Sequence, residues 1–249
     1  MKILFIAILS LFASARSFSI VASDTNKIDA KGKKTGLWKE KINNSDFYGS
    51  YESDKKQGVW VSYHPNGVIS AMDEYKNGKR NGISIGIDMN ANFNKRENFK
   101  NDTIDGLSIG YQSGNFLRYK INYKMGVIDG MRNLYYNDGT IQEEGYYKNG
   151  KREGVTKWFT SGKKLSVEYI YKAGLLEGIQ KTYYENGNID SEVKQVNNME
   201  EGEYNEYFEN GKPRMNGKYI HGKKEGPWKE YDNDGKVIKT ENYKNGELK

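Results

Sequence analysis

The chain has 249 residues, of which 36% are hydrophobic and 29% charged, too little aliphatic mass for a thick core. Yet 20 tyrosines and 28 glycines separate it from disordered chains. Its net charge of +6 comes from 39 basic and 33 acidic residues that are interspersed rather than gathered in a stripe, which argues against nucleic-acid binding, and the lack of cysteine excludes disulfides, thiol catalysis and thiolate metal centres.

In chain order, Met1-Lys2 followed by the apolar run Ile3 to Ala13 reads as a secretory signal peptide over residues 1–22. Cleavage is expected after Ala15, where Ala13-Ser14-Ala15 fits the small-x-small pattern, or after Ala22. The run falls short of the about 20 residues that span a bilayer. No cysteine follows it, so the expectation is export to the periplasm, cell surface or medium without a lipoprotein anchor. Residues 23–35 are predicted to be a linker. Residues 36–57 form a shortened unit, interrupted by Ile42-Asn43-Asn44-Ser45-Asp46, that is expected to cap a repeat array.

The array itself occupies residues 58–249. Gly58, Gly82, Gly106, Gly130, Gly154, Gly178, Gly202 and Gly226 recur every 24 residues without slippage, defining eight repeats. Counting the register glycine as position 1, each unit carries two turn signals. One is Asp138-Gly139 or its equivalents, such as Asn66-Gly67 and Asn186-Gly187; the other is Asn149-Gly150, equivalent to Asn77-Gly78 and Asn245-Gly246. The intervening segments have strand length, so each unit is two strands and two turns. The predicted fold is all-β: an elongated, twisted antiparallel β-meander forming a single-sheet array of roughly 16 to 18 strands, near 80 Å long at about 4.8 Å per strand.

Strand alternation assigns the faces. Aliphatic residues at position 2 (Val59, Met131, Val155) and aromatics at position 6 (Tyr63, Tyr135, Tyr231) share one face; position 18 adds another aromatic row (Tyr75, Tyr147, Tyr171, Tyr243). Positions 3, 5 and 7 are expected to point away from the tyrosine rows. They supply the candidate partner-binding aromatics: Trp60, Tyr204 and Trp228 at position 3, Trp158 at position 5, and Tyr136, Tyr184 and Phe208 at position 7.

Signals for catalysis are weak. The two histidines, His64 and His221, sit in turns of different units and support no triad. The glycines do not lead into a helix bearing a phosphate-loop lysine. An acidic row precedes the register glycines (Asp105, Asp129, Glu153, Glu177, Glu201, Glu225), spaced about 10 Å apart along the sheet, too far to share a metal. These acids are expected to satisfy turn backbone or pair with nearby cations. No metal, cofactor or catalytic residue is predicted.

The octad Tyr147-Lys-Asn-Gly-Lys-Arg-Glu-Gly154 recurs as Tyr75 to Gly82 and Tyr219 to Gly226, with Tyr51 to Gly58 as a degraded copy. With the segment Gly226-Pro-Trp228-Lys-Glu-Tyr231-Asp-Asn-Asp-Gly235, it resembles the MORN-repeat variant found in bacterial proteins grouped as YwqK-type antitoxins. The resemblance spans about residues 36–249 and implies a binding rather than a chemical role. The expectation is an exported, non-enzymatic repeat protein that binds another protein through its extended sheet. The alternatives are an antitoxin- or immunity-like inhibitor of a toxin, which the resemblance implies, and binding to membrane headgroups or envelope glycans. Self-association is left open.

Overall fold

The computed structural model describes residues 25–112 and 116–249; the signal segment expected over 1–22 lies outside the described residues. Twenty-two strands, with no helix among the described residues, follow one another in a single up-and-down meander whose neighbours pair antiparallel. The strand number exceeds the 16 to 18 expected for two reasons. Two units have a broken first strand, Thr103–Ile104 with Gly106–Gln112 and Leu175–Leu176 with Gly178–Tyr183, and the short strands Lys27–Ile28 and Glu247–Leu248 flank the sheet.

The two turns of each unit are different objects. In the unit starting at Gly130, the first is a three-residue loop, Asn137 to Gly139, closed by Tyr136 N–H on the Thr140 carbonyl at 2.8 Å. Only Gly139 there has a positive φ, at 82°, the signature of a bulged hairpin loop. The second is a two-residue turn in which Asn149 and Gly150 both do, at 49° and 80°. Where a unit lacks the glycine, a substitute adopts its conformation: Ala91 and Lys163 in first turns (φ 63° and 65°), Asp102 and Asn198 in second turns (φ 66° and 67°).

Two bulges per unit shape the sheet. Ser62 pairs with Ala71 but Tyr63 with Ile69, leaving Ser70 at position 13 unpaired; Trp158 with Val167 and Phe159 with Leu165 repeat the pattern. The second bulge contains the register glycine: Gln57 pairs with Ser50 and Val61 with Tyr48, so Gly58 to Trp60 stand opposite Gly49. All eight register glycines lie at φ between 65° and 129°, a backbone state that strains any residue with a Cβ. Their periodicity is therefore a backbone requirement.

The bulge at position 13 inverts the alternation, and this corrects the predicted faces. Positions 12 and 18 have the same parity, yet position 12 lies with positions 2 and 6, and position 18 with positions 3 and 5. The two tyrosine rows thus lie on opposite faces. Trp60 and Trp228, expected to point away from them, pack on the position-18 tyrosines and are 3% and 4% exposed. Among the described residues, the buried side chains (Trp60, Ser84, Ser108, Ile121, Glu143, Thr156, Val193, Gln195 and Trp228) occupy positions 3, 14, 16 or 18, and the buried glycines Gly86, Gly110, Gly145 and Gly217 positions 5 or 16. The core is one face of a single sheet.

Neighbouring units are tied at their second turns. The acid at position 24 accepts the first turn N–H of the following unit: Asp129 from Asn149 at 3.0 Å, Glu153 from Ala173 at 2.7 Å, Glu177 from Asn197 at 3.0 Å, Glu201 from His221 at 2.8 Å and Glu225 from Asn245 at 2.7 Å. Gln57 does the same for Asn77 through its amide oxygen. The next turn N–H reaches back to a position-23 carbonyl, as Gly150 does to Ile128 and Gly174 to Arg152. Five of the six acids in the row, Asp129 to Glu225, thus satisfy turn backbone.

The segment expected as a linker contributes to the sheet. Lys27 and Ile28 pair with Thr35 and Lys34, and the Asn26 side chain bonds both backbone groups of Lys39, covering part of an otherwise open edge.

Candidate interaction surfaces

The aromatic face is a ladder of rings interleaved with cations. At its N-terminal end Trp38, Tyr51, Trp60 and Tyr75 meet edge to face with centroids 5.0 to 6.4 Å apart. The Lys34 ammonium lies 4.5 Å from the Trp38 centroid and the Lys56 ammonium 3.9 Å from that of Trp60. Burial lowers the Lys56 pKa, against the opposing pull of Glu40 and Asp73. Burial and the bond to Glu40 push the Tyr51 hydroxyl up to about 12. Burial alone would raise Glu40, but its bonds to Lys34 and Tyr51 prevail and lower it.

At the C-terminal end Trp228 stacks on Tyr204 at 5.4 Å and meets Tyr219 and Tyr243 edge-on, with the Lys224 ammonium 4.1 Å from its centroid. Burial, reinforced by Glu206, holds the Tyr204 hydroxyl well above its ordinary value. Both tryptophans lie flat on a glycine at position 16 of the preceding hairpin. A Cβ on Gly49 would sit 2.2 Å from the Trp60 ring, and one on Gly217 2.2 Å from that of Trp228. Asp73 at position 16 faces the small Ser84, whose hydroxyl donates to it at 2.6 Å, whereas Ile121 and Val193 at that position face Arg132 and Tyr204.

In the middle, Gly145 faces the fully buried Thr156, and Trp158 replaces the missing tryptophan from position 5, packed 5.1 Å from Tyr169. Buried Glu143 receives Arg132 at 2.6 Å and Arg152 at 3.1 Å. Burial opposes the charge on Arg152, but Glu143 holds its pKa up. The carboxylate is thus neutralised by two guanidiniums and offers no free base. Of the candidate aromatics, Trp60, Trp158, Tyr204 and Trp228 lie on this packed face but along its length, Tyr204 and Trp228 stacking on each other while Trp60 and Trp158 pack on other rings. Tyr136 and Tyr184 act as clamps between loops, their hydroxyls donating to the Phe159 and Tyr207 carbonyls at 2.7 Å. Phe208 closes the corresponding loop of its own unit through its backbone.

The opposite face presents the apolar side chains of position 2. Leu37, Val59, Met131, Val155 and Ile179, all at position 2, are 39 to 47% exposed. Across the strand pair from Met131 stands exposed Tyr146, and from Val155, Ile170. Alternating charges flank this row, as in Lys157 with Glu168 at 3.7 Å.

Five segments, residues 56–77, 128–149, 176–198, 200–221 and 224–245, match the family model of the MORN repeat variant. This is a MORN-variant array. Each matched segment begins two residues before a register glycine and ends in the second turn, so the family unit is the hairpin between two bulges. The units starting at Gly82, Gly106 and Gly154 are not matched but keep the same pairing registers. Among curated proteins, none matches the chain. Among the described residues there is no group of three or more metal-ligating side chains, and no helix is long and apolar enough to cross a membrane.

The exposed position-2 row was visible in the sequence as a periodic aliphatic column. The signal that would have placed it outside was the pairing of Gly49 and Gly217 with tryptophans eleven residues later, which marks position 16 as the crowded face.

Proposed function

We propose that this chain is an exported, non-enzymatic array that docks another protein along its aliphatic face. The observation that carries the reading is the position-2 row, apolar from Leu37 to Ile179 at one side chain per unit. In it Leu37, Val59, Met131, Val155 and Ile179 are 39 to 47% exposed, Ile83 and Leu107 are half-buried, and Glu203 and Pro227 end the row. Isolated exposed aliphatics are ordinary, but a contiguous row marks an interaction surface. The aromatic anchors foreseen for this role are occupied by packing, so the contact passes to the opposite face. Export rests on the Lys2 charge and the apolar run Ile3 to Ala13. Inhibition of a toxin is the special case in which the bound protein is a toxin.

The test is capture of partners from a native envelope extract at low and high salt, by the mature chain and by a Val155→Glu, Ile179→Glu variant. One stoichiometric protein, retained at high salt and lost by a variant of unchanged melting temperature, supports docking. Capture that vanishes with salt, or that the variant leaves intact, refutes it.

A further inference from the structure

The shortened cap unit leaves a cavity in the loop rim, and its lining has a distinct chemistry. In regular units a three-residue loop and the position-13 bulge bend the hairpin. The cap hairpin has neither: Asn43 and Asn44, with φ of 48° and 64°, make a two-residue turn, and pairing runs without a shift from Ile42 with Ser45 to Gly36 with Tyr51. These two missing residues account for its 22-residue length against 24 elsewhere. A straight hairpin beside a bent one diverges at its tip.

Farther along the rim the loops are tied together. His64 Nε2 lies 2.8 Å from the Ile87 carbonyl, and Tyr136 and Tyr184 make the corresponding bonds in later units. The cap has Ile42 at this position, with no polar side-chain atom to offer. The result is a cavity of about 590 Å³ between the cap tip and the first loop of the first unit. Its size falls within the about 300–1,000 Å³ of small-molecule sites.

The walls are Tyr48 and Tyr63, whose rings meet at 84° with centroids 5.5 Å apart, forming an aromatic corner. Around it stand Asp46, Asn44, Lys41 and His64. Asp46 is held by Lys39 at 3.6 Å. His64 Nε2 must carry a proton to bond a carbonyl, which leaves Nδ1 as an acceptor in the neutral ring. The lining thus combines a carboxylate, a carboxamide, an ammonium and an imidazole acceptor with two aromatic rings. A phosphate would meet one lining ammonium beside a carboxylate, a poor anion site. A purely apolar ligand would strand the polar groups. A pyranose suits both halves: its C–H face packs on a ring, and its hydroxyls both donate to the carboxylate and accept from the amide and ammonium.

The geometry points to a binding site for a neutral mono- or disaccharide in this cavity. It lies on the same sheet face as the protein-docking row, toward the loop rim, but shares no residue with that row and does not depend on it. The test is ligand-observed NMR and calorimetry of the mature chain with maltose, cellobiose, diacetylchitobiose and inorganic phosphate. At least one disaccharide binds with a millimolar or tighter dissociation constant, and phosphate does not. Tyr48→Ala and Asp46→Asn weaken binding by roughly tenfold or more.

A second variant guards against loss of fold. Replacing Ile42–Asp46 with the seven residues Tyr136–Gln142 restores a regular loop and bulge; it abolishes binding while the melting temperature holds or rises. If no disaccharide binds, if phosphate binds instead, or if the loop graft binds as well as the original chain, the site is not a saccharide site.

Discussion

Replacing Gly217 with alanine probes the tryptophan-on-glycine contact that closes the C-terminal end of the aromatic face. The backbone of Gly217 is ordinary, so the effect is purely one of space. The new methyl carbon would lie 2.2 Å from Trp228 Cδ2 and 2.4 Å from Cε2, both backed by a ring that Tyr204, Tyr219 and Tyr243 hold on its other sides. If the ring shifts within its cage, the cost is that of overpacking, about 1–3 kcal/mol. If it is expelled, the loss approaches that of removing a buried aromatic, about 3–5 kcal/mol.

Gly145→Ala is the internal control, because its methyl meets the Thr156 side chain at 3.0 Å rather than a ring at 2.2 Å, and should cost less than Gly217→Ala, about 1 kcal/mol. Urea unfolding followed by tryptophan emission measures both, with expulsion appearing as a red shift before unfolding. In a Trp228→Ser background the Gly217→Ala cost should fall to a few tenths of a kcal/mol, a coupling read directly by the double-mutant cycle. Equal stability of Gly217→Ala and the unmodified chain, or an unchanged cost in the serine background, would falsify the tryptophan-on-glycine account of this contact.

Glu153→Gln should be nearly silent, since Gln57 makes the same bond with an amide oxygen, whereas Glu153→Ala leaves the Ala173 N–H to solvent and should cost about 0.5–1.5 kcal/mol in chemical denaturation. Ala91→Gly and Lys163→Gly relieve left-handed strain at φ 63° and 65° and should each raise stability by about 1 kcal/mol, seen as a higher melting temperature; a drop at both sites would contradict the backbone argument. Tyr136→Phe removes the hydroxyl that holds the Phe159 carbonyl and should cost about 1 kcal/mol without changing the circular dichroism spectrum. Burial raises the hydroxyl pKa of Tyr51, Tyr75, Tyr171, Tyr204 and Tyr219 above the ordinary value of 10.0, with Tyr51 reaching about 12. The folded chain holds these protons more tightly than the unfolded one, so their contribution is complete below pH 10 and is lost as pH rises toward 12. Phenolate absorbance should therefore lag free tyrosine and then rise together with unfolding; early, non-cooperative ionisation would refute the burial.

The 24-residue register, the two hairpin turns and the strand count per unit follow from local chemistry, because Gly and Asn mark positive φ wherever the chain must reverse. The face assignment failed at one residue per unit. Position 13, occupied by residues such as Ser70 and Gln142, carries no recognisable bulge signal, yet skipping it exchanges the faces of everything that follows in the strand. Trp60 and Trp228 consequently look like exposed anchors under strict alternation and are among the most buried residues. The acids at position 24 were legible as turn-satisfying groups because their spacing forbade a shared metal. The cap cavity could not be seen in sequence: the missing two residues were evident, but their consequence depends on how a straight hairpin meets a bent one.

The bonds between position 24 and the following turn join residues 20 apart, and the loop clamps join residues 23 apart. Each hairpin is thus secured by its immediate neighbours, through a turn bond repeated from Asp129 to Glu225 and a loop clamp at His64, Tyr136 and Tyr184. Such an array can lengthen or shorten in evolution by duplicating or excising whole 24-residue modules, each new junction finding its bonds already in place. A partial module would leave a turn without its acid and a clamp without its carbonyl. The length of the array is therefore quantised, and selection can tune its reach in steps of about 10 Å, two strands at a time.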